Sequence, residues 1–425
     1  MNIGSLGALQ AINFALTMLT LPYLTRILGV TGWGTVVLVQ LIINYMIWVA
    51  NWGFYLGATK KVSSSRGDRR NLSSIFMATW SAQWCITVVL TLALMGGVVA
   101  IPMFREKWDL YLAASGLLLG NVLMPLWFFN GLEKIQESAL MQLAVKMLSL
   151  PFIFTYVKQT DDIDTYLWIS SVSSVTVGLA VSLWICHSKV VDLILPKAIE
   201  IRESITENFH LFISSLLANL NAAVVPTVLG IFVGATELGY FNLADRARSA
   251  AITILHPITH ALFPRMCYLF SNEAATAMRM LRYAGGGMLL LSLMMSAFLF
   301  LFSSQIIFAL GGDTFQKGSI ALQLLAFSPV FTTMSAFFVH QILIPSSASR
   351  GVILGTFYTL LLNLVLVYPA VHRYGASGGA SVIFINEFFL VVFLAFYIRT
   401  KKILVFVEDV GKRKIITGQS KNDKH

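Results

Sequence analysis

The sequence predicts an all-α integral membrane protein: twelve transmembrane helices in two six-helix halves related by a pseudo-two-fold, around a central cationic cavity. Three observations carry that expectation. Of 425 residues, 57% are hydrophobic and only 12% charged, with a mean hydropathy of +0.76, whereas soluble domains are about 25% charged. The apolar residues fall in segments long enough to cross a hydrocarbon core of ~30 Å, which takes about 20 helical residues. A weak internal repeat, finally, aligns the start of the chain with its middle.

The expected spans are 5–23, 33–57, 74–102, 109–130, 138–157, 165–187, 209–233, 242–270, 284–306, 319–345, 350–371 and 377–399. Connections between them are short; the two longest charged ones follow the second and sixth spans. Orientation comes from the distribution of Lys and Arg, which concentrate in cytoplasmic loops. Lys60, Lys61, Arg66, Arg69 and Arg70, then Lys134, Lys189, Lys197 and Arg202, then Arg265, Arg279, Arg282 and Arg350 share one side with the basic tail. The opposite side holds far fewer, so both termini are expected in the cytoplasm. The division is then an N-terminal lobe over 1–187, a cytoplasmic linker over 188–208, a C-terminal lobe over 209–399 and a basic cytoplasmic tail over 400–425. Met1 leads into the first span without a basic region, so no cleavable signal peptide is expected.

The repeat places Ile27–Leu38 on Phe232–Leu243 without a gap. Gly29 matches Gly234, Thr31 matches Thr236, Gly34 matches Gly239 and Leu38 matches Leu243, and Pro22 and Pro226 precede the two blocks. The first span thus falls on the seventh and the second on the eighth. Six-helix halves of this kind place a substrate site at their interface.

Polar residues inside the spans fall on helical faces. Asn242, Arg246, Ser249, Thr253, His256 and His260 form one line on the eighth span. Gln10, Asn13, Thr17 and Thr20 line the first, Gln40, Asn44 and Asn51 the second, Ser138, Gln142, Lys146 and Ser149 the fifth, and His210, Ser214 and Asn221 the seventh. Two readings stand: a helix seam joined by small and polar side chains, or the wall of a wet cavity. A guanidinium at membrane depth costs at least ~2.5–3.5 kcal/mol unless it faces a cavity or partner, which favours the cavity. Its ionisable set is mainly basic, with Arg26, Lys146, Arg246 and Arg248 against Asp245 and Glu387. Such a cavity suits an anion, and arginine's planar fork suits phosphate. Arg248 lies off the stripe and either pairs with Asp245 or reaches to the interface. Lys146 either lines the cavity or snorkels. Glu387 either couples transport to an ion or pairs with a basic group. Pro22, Pro125, Pro151, Pro226, Pro257, Pro264, Pro329 and Pro345 mark hinges or static kinks.

Several classes are excluded. No run of basic residues interleaved with aromatics points to nucleic acid. No GxxxxGK[ST] loop and no nucleophile–base grouping is present, so neither ATP hydrolysis nor catalysis is expected. His256 and His260 have metal-like spacing, yet no carboxylate or cysteine completes a site, and no cofactor is expected. Cys85, Cys186 and Cys267 lie in apolar runs and read as small buried hydrophobes.

Motifs along the whole chain resemble the Wzx-type O-antigen flippases. Asn2-Ile-Gly-Ser-Leu, Leu21-Pro-Tyr-Leu-Thr-Arg-Ile-Leu-Gly29 and Gly32-Trp-Gly34 are similar to the start of that family. Trp52-Gly-Phe, Ala58-Thr-Lys-Lys61 and Arg66-Gly-Asp68 resemble its second span and first basic loop. Trp127-Phe-Phe-Asn-Gly-Leu-Glu-Lys134 is similar to its Trp-Phe-x-Gln-Gly-x-Glu motif, and Gly239-Tyr-Phe-Asn-Leu-Ala-Asp-Arg246 with Ala261-Leu-Phe-Pro-Arg265 to its eighth-span signature. The resemblance implies a twelve-helix transporter of the superfamily that also holds multidrug exporters and lipid II flippases. It further implies an undecaprenyl-diphosphate-linked oligosaccharide as substrate, moved across the bacterial inner membrane by alternating access with a polymerase and a chain-length regulator as candidate partners. Carried over on these positions, Arg26 and Arg246 are diphosphate contacts, Lys134 and Lys146 further candidates, and Glu387 a coupling residue. Asn51 stands where the family often has an acidic residue and Asn130 where it has Gln, which questions coupling through the second span. The family's short basic lead is also absent ahead of Asn2. The rival readings within the superfamily are a multidrug or organic-cation exporter, whose cavity would call for carboxylates, and a lipid II-type flippase, which shares the cationic logic but not the motifs above.

Overall fold

Helices form every extended element of the chain because a backbone in hydrocarbon must satisfy its own N–H and C=O groups, and no strand occurs among the described residues. The computed structural model describes residues 3–188, 190–192, 194–346 and 348–401. Side chains at 3–11, 13, 14, 103, 135, 138, 256, 257, 260, 271 and 274 lie outside the description. Gln10, Asn13, Ser138, His256 and His260 are therefore placed on their helices by backbone alone, and the expected tail beyond Lys401 lies outside the described residues.

The chain divides into two units, 1–223 and 224–425. The first contains α1 (Ile3–Asn51), α2 (Phe54–Ser64), α3 (Arg69–Ala100), α4 (Pro102–Arg105), α5 (Trp108–Leu123), α6 (Leu126–Gly131), α7 (Ile135–Tyr156), α8 (Ile163–His187) and most of α9 (Ala198–Val228). The second continues through a π-helical turn, Leu229–Val233, into α10 (Ala235–Asn272), α11 (Ala274–Leu301), α12 (Ser303–Gly311), α13 (Gly318–Leu325), α14 (Ser328–Phe337), a second π-helical turn, Phe338–Leu343, and α15 (Arg350–Thr400). Among the described residues, nine helical stretches are long and apolar enough to cross a membrane, which makes the protein multi-pass. α10 carries Glu237, Asp245, Arg246, Arg248 and Arg265, and its Ala261–Phe270 stretch is apolar but shorter. Large apolar side chains such as Leu92, Leu183, Met294 and Val365 are more than 60% exposed, as lipid-facing residues must be. Cys85 and Cys186 are exposed as well. The expectation that they are buried fails because, in this solvent, an apolar run identifies lipid contact as readily as core.

Sharp bends occur where glycine permits them. α1 breaks at Gly29 (φ 66°, ψ −179°) and α15 at Gly375 (φ 55°, ψ −132°). Gly234 separates the Leu229–Val233 turn from α10 with φ 120° and ψ 172°. Gly29 and Gly234 are the pair aligned by the sequence repeat, and both combine positive φ with extended ψ. A Cβ at either would meet nothing within 4 Å, so backbone conformation rather than space calls for glycine there. Pro125 and Pro329 stand at helix starts, whereas Pro22, Pro151 and Pro226 lie inside helices.

In the first unit, Phe54, Phe76, Trp127, Phe128 and Phe129 centre a buried aromatic core. α5 and α8 approach closely through small residues: a Cβ on Gly120 would come within 2.1 Å of Ser174 Oγ, and one on Gly178 within 2.6 Å of Leu123 Cβ. Trp52, left-handed at φ 40°, is held by stacking on Phe212 at 4.2 Å and by donating its indole N–H to Ile205 O. In the second unit, Met266, Leu269, Leu281, Phe337 and Leu394 form the core, and buried Gln341 donates to Thr259 O at 2.8 Å.

Candidate functional site

The first unit contains a pocket of about 350 Å³ between α1, α5 and α8. Gln40 and Asn44, expected together on one face of the second span, both line it. Asn121 and Ser174 supply its other polar groups, with Ile47, Leu117, Met124 and Leu126 between them. Behind the pocket lies a chain of amides. Trp127 Nε1 donates to Gln83 Oε1 at 3.2 Å, and Gln83 Nε2 donates to Asn51 Oδ1 at 3.1 Å. Asn121 Nδ2 donates to the same Asn51 oxygen, also at 3.1 Å. Asn51 is thus one step behind the pocket wall, and Gln83 is fully buried. Sequence reading missed Gln83, Asn121 and Ser174. The first two are lone amides in apolar runs, where a single residue draws no stripe; their only signal is the cost of placing an amide in hydrocarbon.

Cations of this unit sit among polar and aromatic groups. Lys146 Nζ donates to Thr17 Oγ1 at 2.6 Å, which brings the polar stripes of the first and fifth spans together. Arg26 is exposed, three residues before the bend at Gly29. Lys134 lies over the Trp184 ring, 5.4 Å from its centre. Asn221 is half-buried on α9. The basic loop and the Trp127–Lys134 motif interlock: Thr59 donates to Trp127 O, and Arg66 donates to Gly131 O and pairs with Glu133 at 3.0 Å. Lys61 pairs with Glu207 and Arg69 with Asp192 near the same loop.

A second cluster lies in the other unit. Arg248 grips Asp245 with two N–H groups, at 2.8 and 2.7 Å. Glu387 on α15 lies within electrostatic reach of both Arg248 and Asp245, with no ion pair to either among the described residues, while Thr332 donates to Ser328 O at 3.0 Å. Asp245, Arg248 and Glu387, three of the expected site residues, are therefore one charge cluster. Arg246 turns to its own stripe and donates to Asn242 Oδ1 at 3.1 Å. His256 and His260 follow on the same helix, their side chains outside the described residues. Glu237, which no stripe singled out, accepts the amide of Ala376 at 2.7 Å. It thereby caps the part of α15 that restarts after Gly375.

Helices of this length, order and hydropathy define a multi-pass membrane protein. Its fold is that of the MATE-like flippases. The structure matches an inward-facing multidrug MATE transporter of the MOP superfamily with a TM-score of 0.72 at 15% identity, covering 93% of this chain and 96% of that one. It matches the lipid II flippase MurJ, in an inward closed conformation, with a TM-score of 0.73 at 12% identity, covering 96% and 90%. At such identities the likeness is one of fold. The chain belongs to the polysaccharide biosynthesis protein family, which it matches over residues 1–270. A protein of Escherichia coli (strain K12) described as "Putative O-antigen transporter" is 24% identical over 95% of this chain and 97% of its own length. One of Shigella dysenteriae with the same description is 25% identical over 92% and 98%.

Proposed function

We propose that this protein is a flippase that moves an undecaprenyl-diphosphate-linked O-antigen oligosaccharide from the cytoplasmic to the periplasmic face of the bacterial inner membrane. The observation that carries this reading is near-full-length similarity to two relatives described as O-antigen transporters, in a chain whose Lys146 is seated on a hydroxyl between apolar helices. Twelve crossings follow if α1 and α15 each span twice, about Gly29 and Gly375, and α10 spans with its charges turned from lipid. Both termini then face the cytoplasm, as the lysine and arginine distribution asks.

In this reading Arg26, Arg246, Lys146 and Lys134 serve the diphosphate, because fixed cations compensate its desolvation. Asn44, Asn221, Asn242, His256 and His260 serve the sugars through neutral hydrogen bonds, and Asn51 serves them from one step behind, through Asn121. Glu387 and Asp245, with Arg248 as counter-charge, are the ion-coupling group. Transport proceeds by alternating access driven by an ion gradient.

The test is deletion in the native host, with surface polysaccharide, lipid-linked intermediates and drug susceptibility assayed together. Loss of surface polysaccharide with accumulation of intermediates is the expected result. Normal polysaccharide with increased toxin sensitivity would overturn the reading in favour of an exporter. Arg246→Ala, restored to the deletion strain, is expected to abolish complementation at normal membrane levels.

A further inference from the structure

We propose that the pocket walled by α1, α5 and α8 is a carbohydrate subsite that holds a neutral sugar ring by the edge of Asn121, with Asn51 as its positioning residue. This rests on the flippase reading and assigns one part of the lipid-linked oligosaccharide to one pocket. Among the described residues the eight that line it are uncharged, four polar and four apolar. A diphosphate buried there would lose its hydration without a compensating cation, and an organic cation would lack a carboxylate. An apolar tail would strand the amides of Gln40, Asn44 and Asn121. A sugar fits both sets, since hydroxyls donate and accept as amides do while the ring's C–H faces rest on apolar side chains. The volume of about 350 Å³ lies at the lower end of the ~300–1,000 Å³ of small-ligand sites, room for part of an oligosaccharide rather than the whole.

The amide chain behind the pocket sets its polarity. An indole N–H can only donate, so Trp127 requires Gln83 to present its oxygen. Gln83 must then offer its NH2 to Asn51, whose oxygen faces it. That same oxygen takes the NH2 of Asn121. Rotating any one amide would set oxygen against oxygen or NH2 against NH2, so the order holds independently of how each carboxamide is assigned. The carboxamide oxygen of Asn121 is left for a ligand hydroxyl. Gln40 and Asn44 make no side-chain hydrogen bond among the described residues, and their amides complete the ring of groups a sugar would engage. The site is pre-oriented, which reduces the ordering cost of binding.

The experiment uses the full-length chain in phosphatidylcholine nanodiscs, because maltoside detergents carry the sugar being tested. Saturation-transfer NMR is recorded with methyl β-glucoside and N-acetylglucosamine as probes and pyrophosphate as competitor. Transfer to a neutral sugar that pyrophosphate leaves unchanged is expected. Asn121→Leu and Asn51→Leu should weaken it by roughly three- to tenfold per lost hydrogen bond. Trp127→Phe should weaken it as well, since it removes the donor that sets the polarity along with part of the buried ring. Asn51→Asp should retain it, because a carboxylate still accepts from both Gln83 and Asn121; a merely structural role would not separate these two substitutions at Asn51. No transfer, displacement by pyrophosphate, or equal binding by the wild type and Asn51→Leu would overturn the proposal. Sugar binding without a deletion phenotype would sink the flippase reading alone. A deletion phenotype fully complemented by Asn121→Leu would sink the subsite alone.

Discussion

Replacing Arg248 with Met removes the charge that Asp245 pairs with and that Glu387 faces. Arg248 and Asp245 side chains are 13% and 29% exposed and joined by two N–H contacts to one oxygen, and Glu387 interacts with both. Breaking a fully buried pair costs about 3–5 kcal/mol, whereas a surface pair contributes about 0–1. The partial burial here sets the expectation near ~2 kcal/mol, since Met conserves the apolar stem but leaves Asp245 without its cation. For a unit of this size each kcal/mol shifts the midpoint by roughly 2–4 °C, so thermal unfolding of the purified protein should move down by roughly 4–8 °C. Asp245→Asn, which keeps an acceptor, should cost less, and the double variant less than the sum of its parts. Lys61→Met is the control: its partner Glu207 is 53% exposed and Lys61 itself 45%, so that change should be nearly silent. Equal, small shifts for Arg248→Met and Lys61→Met would refute the view that the half-buried Asp245–Arg248 pair on α10 stabilises the second unit.

Three further outcomes are expected. Gly120→Val drives its side chain into Ser174, whose Oγ lies 2.1 Å from where a Cβ would stand; a loss of about 1–3 kcal/mol is expected, partly recovered by Ser174→Gly in the same unfolding assay. Gly375→Ala forces a left-handed residue, at roughly 1–2 kcal/mol, and crowds Glu237 Oε2 at 2.3 Å. Glu237→Gln should be milder, because its side-chain oxygen still accepts the Ala376 amide, whereas Glu237→Ala removes the cap without straining the backbone, so the three midpoints separate the two effects. Asp162 accepts the amides of Lys158 and Gln159, and these bonds hold its carboxyl below the usual range. The contribution of a lowered carboxyl is present at neutral pH and is lost as pH falls through its folded-state value. Protection of those two amides from hydrogen exchange should fade only in that acidic window, and Asp162→Ala should remove it at every pH.

Much of the architecture is legible in the chain because hydrocarbon admits few solutions. A backbone that cannot bond to water must be helical, so span length and hydropathy locate the helices, and glycines aligned by the weak repeat mark where two of them turn. Helical periodicity also places Asn44 with Gln40, Lys146 with Ser149, and Asn242 with Arg246 on shared faces, because that relation depends only on spacing. Apolar runs, by contrast, did not tell lipid from core, as Cys85 and Cys186 show.

What periodicity does not contain is the identity of the facing helix. Lys146 meets Thr17 across 129 residues, Asn121 reaches Asn51 across 70, and Ala376 finds Glu237 across 139. Arg248, Asp245 and Glu387 become a single cluster only once α15 lies on α10. By itself, then, the sequence determined a helical membrane chain and its polar faces, since each follows from local composition in a solvent without water. Which polar face meets which, and so the pocket and the charge cluster, was decided by tertiary packing, because side-chain pairing across helices depends on rotation and depth that no single helix encodes.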